Sequence, residues 1–193
     1  MLIVCADQAR VESDLAAGLL SCPSCWGVLA RWGYARGRVL RCLTGDRVLR
    51  PRRARCRGCL GTHVLLSEQG LLRRRDEVSV IGAAIEANVA GLGFRRIARG
   101  LGVPADTVRG WLRRFAERAG LVRAHFTRYA VALDPEVGPV LPAGGIVADA
   151  LEAIAVAGRA WVLRFGPAGL WPVASRLSGG LLCNTSSLFP VLW

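Results

Sequence analysis

Hydrophobic and polar positions change rhythm three times along this chain of 193 residues. After a short apolar start, Val11, Leu15 and Leu19 recur at helical spacing, which predicts a small amphipathic helix within Asp7 to Leu20. Residues 21 to 66 switch to short runs. Val28 to Tyr34 and Arg38 to Leu43 read as strands separated by Ala35-Arg36-Gly37, a hairpin signal. Thr44-Gly45-Asp46 reads as a second turn, and Thr62 to Leu66 as a third strand. From residue 76 the helical period returns. Asp76 stands in an N-cap position before a stripe of Val78, Ile81, Ile85 and Val89, and Gly91-Leu92-Gly93 ends that helix. Phe94 to Gly100 predicts a second helix and Leu101-Gly102-Val103 a turn. Pro104 stands at the first position of a third helix, which runs to about Ala119, where Gly120 stops it.

Beyond residue 121 the pattern is broken by Pro135, Gly138, Pro139 and Pro142. His125 to Leu133 reads as helix, Gly145 to Leu163 as a long Ala-rich helix, and Leu170 to about Leu181 as a last one; Cys183 to Trp193 shows no clear period. No internal repeat stands out. The expected fold is mainly α with a small β ribbon. It divides into an N-terminal helix or arm (1–20), the ribbon (21–66), a tri-helical helix-turn-helix (76–119) and a helical C-terminal tail (121–193).

Charge sharpens this division. The formal net charge is +12, and every basic residue is arginine. Residues 31 to 128 hold 22 arginines against 7 acids, whereas residues 129 to 193 hold 3 against 4. A basic middle points to a polyanionic partner, and a neutral tail to other duties. Apolar residues make up 52%, enough for a folded core, and no run of 18 uncharged apolar residues offers a membrane span.

The seven cysteines do not form a disulfide framework: the count is odd and four of them sit in two C-x-x-C pairs. A reducing cytoplasm suits that usage. Cys22-Pro23-Ser24-Cys25 and Cys56-Arg57-Gly58-Cys59 each place two thiolates on one turn, and together they supply four soft ligands for a structural zinc ion. Cysteine pairs on turns that flank short strands are the layout of a zinc ribbon. A variant exchanges one ligand for His63, four residues past Cys59. Closed tetrathiolate sites leave no position for a water, so the metal's expected role is to hold a small module together rather than to hydrolyse a substrate. Cys5, Cys42 and Cys183 are isolated and read as buried thiols.

In the helical segment, Ile97, Leu101, Val103, Val108 and Leu112 are spaced to share one core. Ala98 is small where two helices cross, and Gly102 sits in the turn. Trp111 and Phe115 fall at core spacing rather than at base-stacking positions. The outward positions of the third helix are Ala105, Asp106, Arg109, Gly110 and Arg113. Arg109 is the candidate for reading a guanine edge of double-stranded DNA, and Asp106 either accepts from cytosine or favours the helix N-terminus. Thr107 and Arg113 are candidates for phosphate. Arg95, Arg96 and Arg99 are placed to cross the backbone. Arg50-Pro51-Arg52-Arg53-Ala54-Arg55 and Arg73, Arg74 and Arg75 add basic clusters suited to phosphate.

This arrangement, with Thr107-Val108-Arg109-Gly110-Trp111-Leu112-Arg113-Arg114-Phe115 closing the helix-turn-helix, resembles the DNA-binding front ends of bacterial insertion-sequence transposases. It also resembles a family of uncharacterised bacterial proteins with a zinc ribbon, a helix-turn-helix and a helical tail. The resemblance covers residues 20 to 118. It implies transposon-end or operator binding, with Cys22, Cys25, Cys56 and Cys59 as metal ligands and the third helix as the DNA reader. Trp26 and Leu60 stand just after the knuckles, where glycine is usual after the first. Transposase catalysis needs a nuclease domain with three spaced carboxylates, and after residue 129 only Asp134, Glu136, Asp149 and Glu152 remain. The expectation is therefore a DNA-binding protein that is not an enzyme and takes no small-molecule substrate. A transcription regulator and a zinc-stapled interaction adaptor are the alternatives. The tail stripe of Ile146, Ala150, Ile154, Ala157 and Trp161 either pairs with a second copy or a catalytic transposase partner, or packs on the DNA-binding domain.

Overall fold

The computed structural model describes residues 1–184; the end of the chain that showed no period lies, from residue 185 on, outside the described residues. Helix α1 (Gln8–Ala16) begins where Asp7 caps it, its carboxylate accepting from the backbone N–H groups of Ala9 and Arg10. Val11 and Leu15 are buried, while Leu19 lies past the helix end and is 67% exposed.

Strands β1 (Leu2–Val4), β2 (Leu29–Tyr34), β5 (Arg52–Cys56) and β6 (Thr62–Ser67) form one sheet in the order β1-β6-β5-β2. Only the β1–β6 pair is parallel. Strands β3 (Arg38–Cys42) and β4 (Gly45–Leu49) form a separate two-stranded sheet. Ala35-Arg36-Gly37 therefore does not close a hairpin between β2 and β3. Instead β2 runs antiparallel to β5, from Leu29 opposite Cys56 to Tyr34 opposite Arg52. That register gathers Leu29, Ala54, Cys56 and Leu65 under Val11 and Leu15, a core no local hairpin would build.

The helices are α2 (Val78–Val89), α3 (Phe94–Leu101), α4 (Ala105–Ala116), α5 (Ala119–Leu133), α6 (Ile146–Phe165) and α7 (Leu170–Leu177). Asp76 does not cap α2. Glu77 holds the cap position, and Asp76 is buried against Arg41 at 2.8 Å. Burial raises the Asp76 carboxyl above its usual range, and the Arg41 guanidinium opposes that shift. Pro104 is the N-cap of α4 rather than its first residue. Gly120 stops nothing: α4 ends at Ala116, and Gly120 lies in the first turn of α5.

Two findings overturn the expectation of a mainly α chain with a tri-helical domain and a tail. Six strands in two sheets precede the long helices, which makes this an α+β architecture. Moreover α2, α3 and α4 are not a self-contained trio. Ile81, Ile85, Val108, Trp111 and Phe115 share one buried cluster with Phe126 of α5, Ala150, Ile154 and Ala157 of α6, and Trp171 and Leu177 of α7. Three helices of this length bury too little apolar surface alone, and α5, α6 and α7 complete their core. Of the tail stripe, Ala150, Ile154 and Ala157 are buried in that cluster and Ile146 is 59% exposed. Helices α2 and α7 approach closely where Gly82 lies against the Trp171 indole and the Trp171 N–H donates to Glu86 at 2.8 Å.

Candidate metal centre and basic face

The two cysteine turns have matching geometry. Ser24 N–H donates to Cys22 Sγ at 3.4 Å, and Gly58 N–H donates to Cys56 Sγ at 3.3 Å. Cys22 N–H reaches the Gly27 carbonyl, and Cys56 N–H the Gly61 carbonyl. Trp26 and Leu60, one residue past each pair, take left-handed backbone angles of φ 61° and 62°. Both therefore adopt the conformation for which glycine is the usual choice, and both side chains are exposed.

These turns bring all four sulfurs within 4.8 Å of one another. Cys22 and Cys59 are 3.7 Å apart, and Cys25 and Cys56 are 3.4 Å apart. A regular tetrahedron with metal–sulfur arms of about 2.3 Å has edges of about 3.8 Å, so the quartet fits a tetrathiolate metal site. Glycine keeps the space open. A Cβ on Gly27 would stand 3.0 Å from Cys56 Sγ and 3.4 Å from Cys25 Sγ. The N–H of Ser24 is the largest influence lowering the Cys22 thiol, to about 6, and the N–H of Gly27 lowers Cys25. Gly61 N–H favours the Cys59 thiolate too, but the three neighbouring sulfurs together push Cys59 up to about 11. Four thiolates cannot share this volume without a cation among them.

His63 is not within the quartet. It is buried, with Nε2 3.3 Å from Cys22 Sγ, in hydrogen-bond contact with that sulfur. The sequence offered His63 only as a replacement ligand, and its spacing carried no sign of this supporting contact. Cys5 and Cys42 are partly exposed and Cys183 is buried; all three stand apart from the quartet.

The second candidate region spans α3 and α4. Gly102 turns between them at φ 64°, and Ile97, Ala98, Val108, Trp111 and Phe115 face inward. Arg95, Arg96 and Arg99 on α3 and Asp106, Arg109 and Arg113 on α4 are exposed, with Ala105, Thr107 and Gly110 half-buried between them. Arg95 and Arg109 converge on one ring, lying 5.5 Å and 6.0 Å from the Phe94 centroid. Arg109 also pairs with Asp106 at 3.0 Å, with both side chains mostly exposed, and Arg113 reaches Glu117 at 3.8 Å. Such exposed pairs are weakly held and open readily to a stronger anion. The three arginines before α2 diverge. Arg73 and Arg75 are exposed, whereas Arg74 is half-buried and donates to the Cys183 carbonyl at 2.5 Å, so it fastens the segment after α7.

Asp149 and Glu152 are engaged on α6: Asp149 accepts from Ala143 N–H and pairs with Arg123, and Glu152 pairs with Arg159. No helix among the described residues is long and apolar enough to cross a membrane. The chain matches no protein-family model, no curated protein and no solved structure.

Proposed function

We propose that Cys22, Cys25, Cys56 and Cys59 hold a structural zinc ion and that the chain binds double-stranded DNA through the exposed face of α3 and α4. The observation that carries the metal reading is the sulfur quartet at tetrahedral spacing, built by two matched turns. Four soft thiolates select zinc over hard cations, and with every position taken by sulfur the ion would act on the fold alone. The observation that carries the DNA reading is the sidedness of the helix pair. Ile97, Ala98, Val108, Trp111 and Phe115 are turned in, while five arginines (Arg95, Arg96, Arg99, Arg109 and Arg113) are exposed on the two helices.

In this reading α4 enters the major groove. Arg109 leaves Asp106 for the O6 and N7 of a guanine, while Arg113 and the α3 arginines meet phosphate. The chain recognises DNA and leaves strand chemistry to another protein. The resemblance to transposase front ends suggests mobile-element ends as the target, with an ordinary promoter as the competing one. Selection of bound fragments from random and genomic DNA separates the two.

The test of the assignment compares two variants by salt-dependent binding. Arg109→Ala is expected to erase discrimination between a selected site and a single-base variant of it, worth about 1–3 kcal/mol. Arg96→Ala is expected to weaken all duplexes alike and to lower the salt slope by about one. Identical behaviour of the two variants would overturn the division of roles, and no duplex binding at low salt would overturn the reading.

A further inference from the structure

The four-stranded sheet is covered by α1 on one face; its other face buries Leu66 near β1 and is open toward β5 and β2. On the covered face, Leu29, Ala54, Cys56 and Leu65 pack under Val11 and Leu15 of α1. Strand alternation sends the intervening residues the other way. Arg53 and Arg55 of β5 lie beside Thr62 and Val64 of β6, and none of these four is buried. A bulge in β2 between Arg31 and Gly33 supplies the extra residue Trp32. Its ring is half exposed and carries the Arg55 guanidinium 4.7 Å from its centre. Arg53 donates to Thr62 Oγ1 on the same face.

We propose that this open face is a second nucleic-acid surface, one that binds single-stranded DNA by stacking an unpaired base on Trp32 and holding phosphates with Arg53 and Arg55. Among the described residues neither arginine has a carboxylate partner, so their charge is available. An acidic peptide would satisfy the arginines and leave the exposed half of the indole unused. A closed duplex would satisfy the arginines too, but its bases already stack on one another. A strand with free bases satisfies both the cations and the ring. At the end of β2, Tyr34 repeats the pairing of exposed ring and guanidinium: Arg52 lies 4.4 Å and Arg50 5.0 Å from its centre. That pair lies on the face covered by α1, where Arg52 is held by Glu12 at 2.8 Å, and stands outside the proposed surface. The choice of deoxyribose over ribose rests on the duplex reading given for α4; the stacking argument stands without it.

The experiment uses the full zinc-loaded chain and fluorescence anisotropy of labelled dT20, rU20 and a 20-base-pair duplex at low salt. Trp32→Ala is expected to weaken dT20 about 5- to 100-fold, with duplex affinity unchanged and Trp32→Phe retaining most of the dT20 affinity. Arg109→Ala is expected to leave dT20 untouched. Unaltered dT20 binding by Trp32→Ala, equal losses on dT20 and duplex, or no dT20 binding by the wild type would each overturn the proposal. A tenfold preference for rU20 would overturn its deoxyribose assignment. Full duplex discrimination kept by Arg109→Ala, with the dT20 results as expected, would sink the α4 reading and leave this one standing.

Discussion

Gly82 offers the sharpest test of how the helices are joined. A Cβ built on it would stand 2.0 Å from Cε2, 2.1 Å from Cδ2 and 2.3 Å from Nε1 of Trp171. No rotamer adjustment of a methyl relieves an overlap of that size, so Gly82→Ala must expel the indole. Trp171 is 6% exposed and donates to Glu86 at 2.8 Å. Losing a buried tryptophan costs about 3–5 kcal/mol. Alanine in place of glycine within a helix returns about 1 kcal/mol. The net expectation is a loss of about 2–4 kcal/mol, or roughly 5 to 15 °C in Tm for a chain of this size. Gly100, inside α3, is the internal control: a Cβ there meets nothing within 4 Å, so Gly100→Ala gains about 0.5–1 kcal/mol. Urea unfolding followed by circular dichroism measures both. The double variant Gly82→Ala with Trp171→Ala decides the cause. If the clash is responsible, Trp171→Ala costs far less in the Gly82→Ala background than alone. Additive losses, or stabilisation by both glycine replacements, would refute the contact and with it the joining of α7 to α2.

Three further outcomes are expected. Strong chelation should release one zinc per chain and abolish amide protection in residues 20 to 66 while the helices from α2 onward keep theirs, as read by hydrogen exchange. His63→Ala should keep one zinc per chain but loosen it 10- to 100-fold in a competition assay, because His63 supports Cys22 Sγ rather than ligating the metal; loss of stoichiometric zinc would show the reverse. His125 is buried, with its Nε2–H donating to the Leu177 carbonyl, and burial lowers its pKa below 6.5. The unfolded chain therefore binds the extra proton first. Stability is full above about pH 6.5 and falls on acidification below it, and thermal melts of His125→Gln should show a flatter decline over that window than the wild type.

The parts legible in the sequence are those whose signal is local. The C-x-x-C pairs declare themselves by spacing, and α2, α3, α4 and α6 by one-sided apolar stripes. Strand β5 was hidden because its outward residues are arginines: Arg52-Arg53-Ala54-Arg55-Cys56 reads as a basic run unless Ala54 and Cys56 are seen to face a core. The pairing of β2 with β5 was hidden for a different reason. It joins residues 18 to 27 apart in sequence, and the nearer turn at Ala35-Arg36-Gly37 carries every local mark of a hairpin. The break between α4 and α5 falls at Glu117 and Arg118 with no glycine to mark it, while Gly120, the residue that looks like a stop, is accommodated inside a helix. Nor does composition show that Trp26 and Leu60 adopt left-handed angles, since only tertiary demand holds bulky residues there.

The two apolar clusters give a reason to expect the proposed metal site and the proposed duplex surface to respond separately. One runs from Val4 to Leu65 and contains Cys22 and Cys56; the other runs from Leu71 to Cys183 and contains the inward face of α3 and α4. Among the contacts that join them are polar ones: Arg176 pairs with Glu68 at 2.7 Å, Ser175 Oγ donates to the Gly70 carbonyl at 2.9 Å, and Val78 N–H reaches the Gln69 carbonyl. Polar links of this kind are weak next to core burial and do not transmit the collapse of one cluster into the other. Removing the metal therefore frees the turns that set β2 and β5 in register, and with them Trp32 and Arg55, but leaves α4 presented as before. Metal-free protein is expected to lose single-stranded DNA while retaining duplex affinity. Parallel loss of both would mean that the helices depend on the sheet more than these contacts allow.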